Sequence, residues 1–271
     1  MKYDFFDSKI EKEYLQNPTK SYSDISKSVG CSKSMVQKWF RVHNVHRDRI
    51  AQQKLNNTNR NKNILITEKV KEILIGTLLG DSSISKYRRC CESVKILNSR
   101  ICCGHSLKQK EYVKYLCNLI SNEGLKVNYT EDNISHKSKI NDRCIETIGE
   151  CRMDVVRNIA FNSWRDEWYP NDKKIVPKTI SEYISPLTIA IWYMDDGSKN
   201  NSSYYLHTEG FTEDDVDYLR YILEEKYNLI TSRHNSRGKP TIYISMKSRK
   251  HFTNLIKPYI CESMMYKIWN D

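Results

Sequence analysis

Ile189-Ala190-Ile191-Trp192-Tyr193-Met194-Asp195-Asp196-Gly197 is the stretch on which the reading of this chain turns. It is apolar as far as Met194 and ends on two acids; Pro186 precedes it and Gly197 stops it. Pro at a helix start and Gly just past its end mark helix boundaries, so the segment reads as a buried helix with acid at its C-terminal tip. Negative charge is disfavoured there by the helix macrodipole. One hundred and fifteen residues earlier (196 minus 81), Leu74-Ile75-Gly76-Thr77-Leu78-Leu79-Gly80-Asp81-Ser82 has the same design. Its glycines, four apart, lie on one side and permit close approach of another backbone. An unfavourable placement made twice points to a purpose, and the two segments read as internal duplicates.

The chain downstream of each segment supports the duplication. After the first, Glu92 to Leu97 and Ile101 to Leu107 alternate like strands, and Lys110 to Ile120 reads as an amphipathic helix. After the second, Ser203 to His207 is strand-like and Thr212 caps a helix to Lys226. Leu229 to Arg233 and Thr241 to Met246 then form a hairpin through Ser236-Arg237-Gly238, and a last helix runs from about Ser248 to Tyr259. The fold class is α+β. In a half-buried sheet Ile242, Ile244 and Met246 face the helices, which leaves Thr241, Tyr243, Ser245 and Lys247 on the opposite face.

These motifs resemble those of the LAGLIDADG endonuclease family, in its single-chain, two-motif branch, over most of Ile64 to Ile268. The resemblance implies a pseudo-twofold duplicated αββαββα fold with antiparallel sheets that face DNA. The family's acid falls on Asp81 in the first copy and Asp196 in the second, and Asp195 takes the preceding position. Two departures stand out: Ser82 replaces the terminal glycine of the first motif, and Ile191 and Asp195 occupy positions where small residues are expected. The family places one acid on each DNA strand across the minor groove, with the backbone carbonyls of Gly80 and Asp195 as further metal ligands, and leaves a double-strand break with short 3′ overhangs. Polar and basic residues around the attacking water map best onto Gln109 and Lys247, either of which is equally readable as a surface side chain. By the same resemblance Ser93 and Lys95, and Arg233, Thr241, Tyr243 and Ser245, lie on the DNA-facing strands, where an ordinary solvated face is the competing reading.

The chemistry fits that arrangement. Phosphodiester hydrolysis needs an activated water, charge neutralisation on the phosphoryl oxygens and a stabilised leaving alkoxide, and a divalent cation supplies all three. Hard cations such as Mg²⁺, or Mn²⁺ in its place, take oxygen ligands. Two carboxylates side by side at paired helix tips are able to hold one, whereas without a cation they repel.

A second, smaller domain precedes this one. Tyr22 to Phe40 resembles a helix-turn-helix: Ile25, Val29, Val36 and Trp39 or Phe40 fall where two short helices bury them, Gly30 supplies a left-handed turn and Ser32 caps the second helix. Ser34, Gln37, Lys38 and Arg41 then line the outer face of that helix, within reach of base edges and phosphates. Arg47 continues the positive face. A packing unit without DNA contact is the alternative. Asn56 to Asn63 holds no apolar residue and reads as linker. The expected domains are 1–50 helix-turn-helix, 51–63 basic linker and 64–271 endonuclease, with repeats at about 64–180 and 181–271.

A net charge of +11 over 271 residues favours a polyanionic partner. Double-stranded DNA with a long asymmetric site is the first expectation, intron RNA on the same fold the second, and a non-catalytic regulator the third. An internal pseudo-symmetry makes a monomer the expected state. No apolar run approaches the roughly 20 residues of a spanning helix, and Lys2, Asp4, Asp7 and Lys9 rule out a signal peptide at the start. The expected setting is soluble and intracellular, in cytoplasm, nucleus or organelle, with the nine cysteines reduced. Cys90-Cys91 and Cys102-Cys103 with His105 suggest zinc at first sight, but vicinal cysteines on a strand point to opposite faces and cannot all converge.

Overall fold

The computed structural model describes residues 4–17, 20–43, 45, 66–89, 96–140 and 143–269, with the side chains of 4–5, 88–89, 96–97, 135–140 and 143–148 left aside. Arg47, Ser93, Lys95 and the 51–63 linker lie outside these residues. The chain divides into two compact units, 1–63 and 64–271.

In the first unit, α1 (Asp4–Gln16), α2 (Tyr22–Val29) and α3 (Lys33–Val42) close around Ile10, Ile25 and Val36, which are fully buried, and Trp39 and Phe40, nearly so. Gly30 ends α2 at φ 74°, in the left-handed region where a Cβ is disfavoured. Ser32 then opens α3, its hydroxyl accepting from Met35 N at 3.2 Å. Buried Ser26 donates to Ser23 O at 2.8 Å, so its hydroxyl is satisfied. Ser34, Gln37, Lys38 and Arg41 are all exposed on α3.

The second unit is the same arrangement of elements built twice. The first copy runs α4 (Glu68–Leu79), β1 (Ser83–Ile84), a short insertion of β2 (Arg88–Arg89) paired with β3 (Ile96–Leu97), β4 (Ile101–Ser106), α5 (Lys110–Asn122), β5 (Val127–Ile140), β6 (Arg143–Val155) and α6 (Ala160–Trp168). The second runs α7 (Pro186–Asp196), β7 (Gly197–Lys199), β8 (Tyr204–Leu206), α8 (Glu213–Tyr227), β9 (Thr231–Ser236), β10 (Lys239–Ile244) and α9 (Arg249–Ile256). The sheet orders, β1-β4-β6-β5 and β7-β8-β10-β9, correspond element for element, and every pairing is antiparallel. The αββαββα duplication is therefore the fold of this unit. One continuous core joins the copies, with α4 and α7 packed at its centre and almost wholly buried.

Local chemistry explains the second copy. Ser185 caps α7 by accepting from Thr188 N at 3.2 Å, with Pro186 behind it. Thr212 and Asp215 form a reciprocal capping box on α8. Arg237 and Gly238 take φ of 54° and 80°, the pair of positive values that a two-residue hairpin turn requires.

Several placements differ from expectation. The long β5–β6 hairpin, which the sequence pattern did not announce, completes the first sheet. β10 ends at Ile244 and the chain turns into a 3-10 turn at Met246–Ser248, so Met246 is 63% exposed instead of facing the helices. Thr241 is buried, its hydroxyl donating to Leu206 O at 2.9 Å, and is not free to meet a ligand. Arg233 pairs with Ile242 and so shares the core-facing side; it reaches Asp217 at 2.6 Å and Glu213 at 3.2 Å on α8, away from the open face. The six described cysteines are unpaired. Among the described residues no helix is long and apolar enough to cross a membrane.

Candidate active site

The crossing of α4 and α7 sets the site. A Cβ on Gly76 would lie 2.8 Å from Thr188 O and 2.9 Å from Ile191 Cβ; one on Gly80 would lie 2.4 Å from Asp195 Cβ. Gly76 therefore receives Ile191 and Gly80 receives Asp195, which is how the second motif tolerates large residues where small ones were expected. Gly197 is also needed for space: at φ −96° it is not left-handed, but a Cβ there would strike the Tyr193 ring at 2.1 Å.

This close approach brings Asp81, Asp195 and Asp196 together, and their fields act on one another. The Asp81 side chain is 41% exposed, while Asp195 is wholly buried. Asp195 ties the helices: Tyr112 donates to its Oδ1 at 2.6 Å and Asp81 N donates to its Oδ2 at 3.4 Å. Burial, reinforced by the two neighbouring acids and opposed by Tyr112, pushes its carboxyl well up. Burial and then Asp81 raise Asp196 to about 6, against the pull of Lys174, His207 and Lys267.

Lys174 and Lys267 were not singled out as site residues by sequence reasoning. Lys174 turns inward and donates to Gly80 O at 3.2 Å and Ser82 O at 2.9 Å. Lys267 does the same for the other helix, reaching Met194 O at 2.5 Å and Asp195 O at 3.2 Å. Burial lowers Lys174 to about 8 and lowers Lys267, although the three acids oppose this in both. Each copy thus ends on a lysine that returns to its own helix tip.

Gln109 reaches the site through His105, whose Nδ1 lies 3.0 Å from Gln109 Oε1 and 3.6 Å from Asp81 Oδ2. Lys247 is exposed beyond the end of β10, and the cationic groups acting on Asp196 are Lys174, His207 and Lys267. A pocket beside Asp196 is formed by Gly80, Lys174, His207, Glu209 and Phe211. His207 donates its backbone N–H to Asp196 O at 2.8 Å and holds Ser198 and Glu209 with its ring. On the open face of the second sheet, Tyr243 stacks on His234 with ring centres 4.7 Å apart, and Tyr205 joins them at 3.2 Å from His234 Nδ1. Ser245 is half-buried and accepts from Lys247 N at 3.3 Å. Of this cluster only Tyr243 was legible in the sequence.

The donor set suits a hard divalent cation. The Asp81 and Asp196 carboxylates act on each other, and the carbonyls of Gly80 and Asp195 each accept from an ammonium group, so those oxygens face a place where positive charge is already held.

The model of the LAGLIDADG DNA endonuclease family matches residues 71–252 of this chain. Over 216 residues the chain is 32% identical to the cytochrome b mRNA maturase bI2 of Debaryomyces hansenii, spanning 78% of this chain and 77% of that protein. It is 30% identical over 206 residues to the probable intron-encoded endonuclease 1 of Wickerhamomyces canadensis, spanning 73% of this chain and 83% of that protein. Among solved structures, the homing endonuclease I-WcaI bound to its DNA recognition sequence matches with a TM-score of 0.64 at 26% identity, over 80% of this chain and 93% of that one.

Proposed function

Since the chain belongs to the LAGLIDADG DNA endonuclease family, we propose that it is a site-specific homing endonuclease that hydrolyses both strands of a long, asymmetric DNA site, with Mg²⁺ as its cation. The observation that carries this reading is the convergence of Asp81 and Asp196 at two helix tips where the carbonyls of Gly80 and Asp195 each accept from a half-buried lysine. Asp81 and Asp196 each serve one strand, and the carbonyls of Gly80 and Asp195 complete the ligand set. A divalent cation bound there would acidify water and neutralise the phosphoryl oxygens.

The chain's own groups divide the remaining work. Lys174 and Lys267 hold positive charge where the scissile phosphates develop negative charge, in a setting dry enough to strengthen the interaction. Gln109 acts through His105, which it orients beside Asp81. Asp195 spaces the tips, its carboxyl held by Tyr112 and by Asp81 N. The open sheet face, with Tyr205, His234 and Tyr243, and the outer face of α3, with Ser34, Gln37, Lys38 and Arg41, supply DNA contact, the latter outside the cleaved core. The domain division proposed is helix-turn-helix to residue 50, linker to 63 and nuclease beyond, acting as a monomer.

Purified full-length protein, incubated with Mg²⁺ and a plasmid library carrying the DNA that flanks its gene, is expected to linearise a subset of plasmids and to stop when the cation is chelated. Binding to such DNA without cutting under Mg²⁺ or Mn²⁺ removes the nuclease reading. A second reading, intron-RNA splicing, is favoured by the similarity to a maturase; in that case the protein accelerates splicing of its host intron and leaves every plasmid intact.

A further inference from the structure

Beside the helix-tip acids lies a buried cluster whose thiol the proposed DNA chemistry does not use. Cys103 and His105, two apart on β4, point to the same side of the strand, and both meet Asp195 of α7. Cys102 faces the other way, so the ligand set differs from the vicinal-cysteine pattern that the sequence suggests. Cys103 Sγ lies 3.0 Å from His105 Nε2, which lies 3.5 Å from Asp195 Oδ1, and the three ligand atoms fall within 4.8 Å of one another. All three residues are buried.

We propose that Cys103, His105 and Asp195 form a binding site for a borderline-soft divalent cation of the zinc class, separate from the hard-cation site at the helix tips.

Three observations carry this. The His105 Nε2–Asp195 Oδ1 distance matches that of a tetrahedral centre, whose sulfur, nitrogen and oxygen ligands stand about 3.4–3.6 Å apart for bond lengths of about 2.0–2.3 Å; the Cys103 Sγ–His105 Nε2 distance is shorter than this and the third pair lies within 4.8 Å, so the thiol must shift to complete the set. The donor types are those zinc takes, whereas a thiolate does not suit Mg²⁺. The constellation also occurs in one copy alone. Aligning the copies through Ser83 opposite Cys102 and Ser198 opposite Tyr205 puts Leu206 where Cys103 stands and Thr208 where His105 stands, and the helix crossing pairs Asp195 with Gly80. The second copy builds the same sheet and helix contact with Leu206 and Thr208, both buried, so packing does not demand Cys, His or Asp.

The surroundings fit a cation. The buried Ser82 hydroxyl has no hydrogen-bond partner. Ligation through Nε2 leaves His105 Nδ1–H directed at Gln109 Oε1 at 3.0 Å and Asp81 Oδ2 at 3.6 Å, the carboxylate–histidine–metal relay that fixes a ring's tautomer. Occupancy would thereby be felt at a catalytic acid.

The test uses Co²⁺ as a spectroscopic stand-in, titrated into the reduced full-length protein without DNA. The nuclease reading plays no part in this readout, so the two fail separately. The wild type should reach saturation at one equivalent, showing a thiolate-to-cobalt charge-transfer band and tetrahedral visible bands that Zn²⁺ then bleaches. Cys103→Ser and His105→Gln should each lose the charge-transfer band, while Cys261→Ser keeps it. Should Cys103→Ser fail to fold, His105→Gln alone decides. A wild type without the band, or a His105→Gln variant that retains it at full strength, overturns the proposal.

Discussion

The two helix tips of the catalytic unit share one topology and differ in chemistry. The α4 tip is slim, with Gly76 and Gly80 on its contact face and a 41%-exposed Asp81; the α7 tip is bulky, with Ile191, a wholly buried Asp195 and a half-buried Asp196. A close crossing needs one thin partner at each contact, not two. Gly80 gives way to Asp195 and the acids still meet. The cost is that the second tip carries a buried carboxyl, which hydrogen bonds from Tyr112 and Asp81 N make tolerable. Sequence duplication here has yielded complementary halves.

If each tip depends on its own lysine, Lys174→Met and Lys267→Met should slow cleavage by about 10²–10³-fold each while leaving DNA affinity within a few-fold. Strand-resolved assays would show whether one variant cripples one strand more than the other; equal, small losses on both strands would deny the pairing of lysine with tip. The pH profile of cleavage should be bell-shaped. Activity rises as Asp196 loses its proton through about 6 and falls as Lys174 loses its proton through about 8. Added cation competes with the proton at Asp196, so raising its concentration should move the acid limb to lower pH. A profile that climbs without a break to pH 9 would remove Lys174⁺ from the account.

Complementarity of the tips is tested on stability. Gly80→Ala puts a methyl 2.4 Å from Asp195 Cβ and should cost about 1–3 kcal/mol in denaturant unfolding. Adding Asp195→Gly should recover part of that loss, and strict additivity in the double-mutant cycle would show that the two positions do not interlock. The smallest effect concerns the N-terminal unit. Arg41→Ala should reduce the slope of log affinity against log salt by about 0.9, one phosphate contact, and an unchanged slope would place α3 away from DNA.

Much of this was legible in the sequence because it is local. Acids at helix ends, glycines four apart, the Ser32 and Thr212 caps and the Arg237-Gly238 turn are each decided within a few residues, and the duplication emerges from their repetition. Lys174 and Lys267 were illegible because nothing near them marks their role. Their partners lie 94 and 72 residues away, and neither sits on an α-helix or strand whose period reveals a face. The β5–β6 hairpin escaped for another reason: its first strand is largely polar on both faces, and a register shift between Asp132 and Ser135 breaks the alternation that identifies strands. Arg233 was assigned to a DNA-facing strand by resemblance, and only its register with Ile242 shows that it shares the side of the core.

The most direct test is supercoiled-to-linear conversion of a plasmid bearing the target, measured alongside DNA affinity for the wild type, Asp81→Asn and Asp196→Asn in Mg²⁺. The expected result is that all three bind comparably, the wild type linearises the plasmid, and each variant loses linearisation by about 10³-fold or more. Linearisation at the wild-type rate by either variant would contradict the assignment of one essential acid to each helix tip.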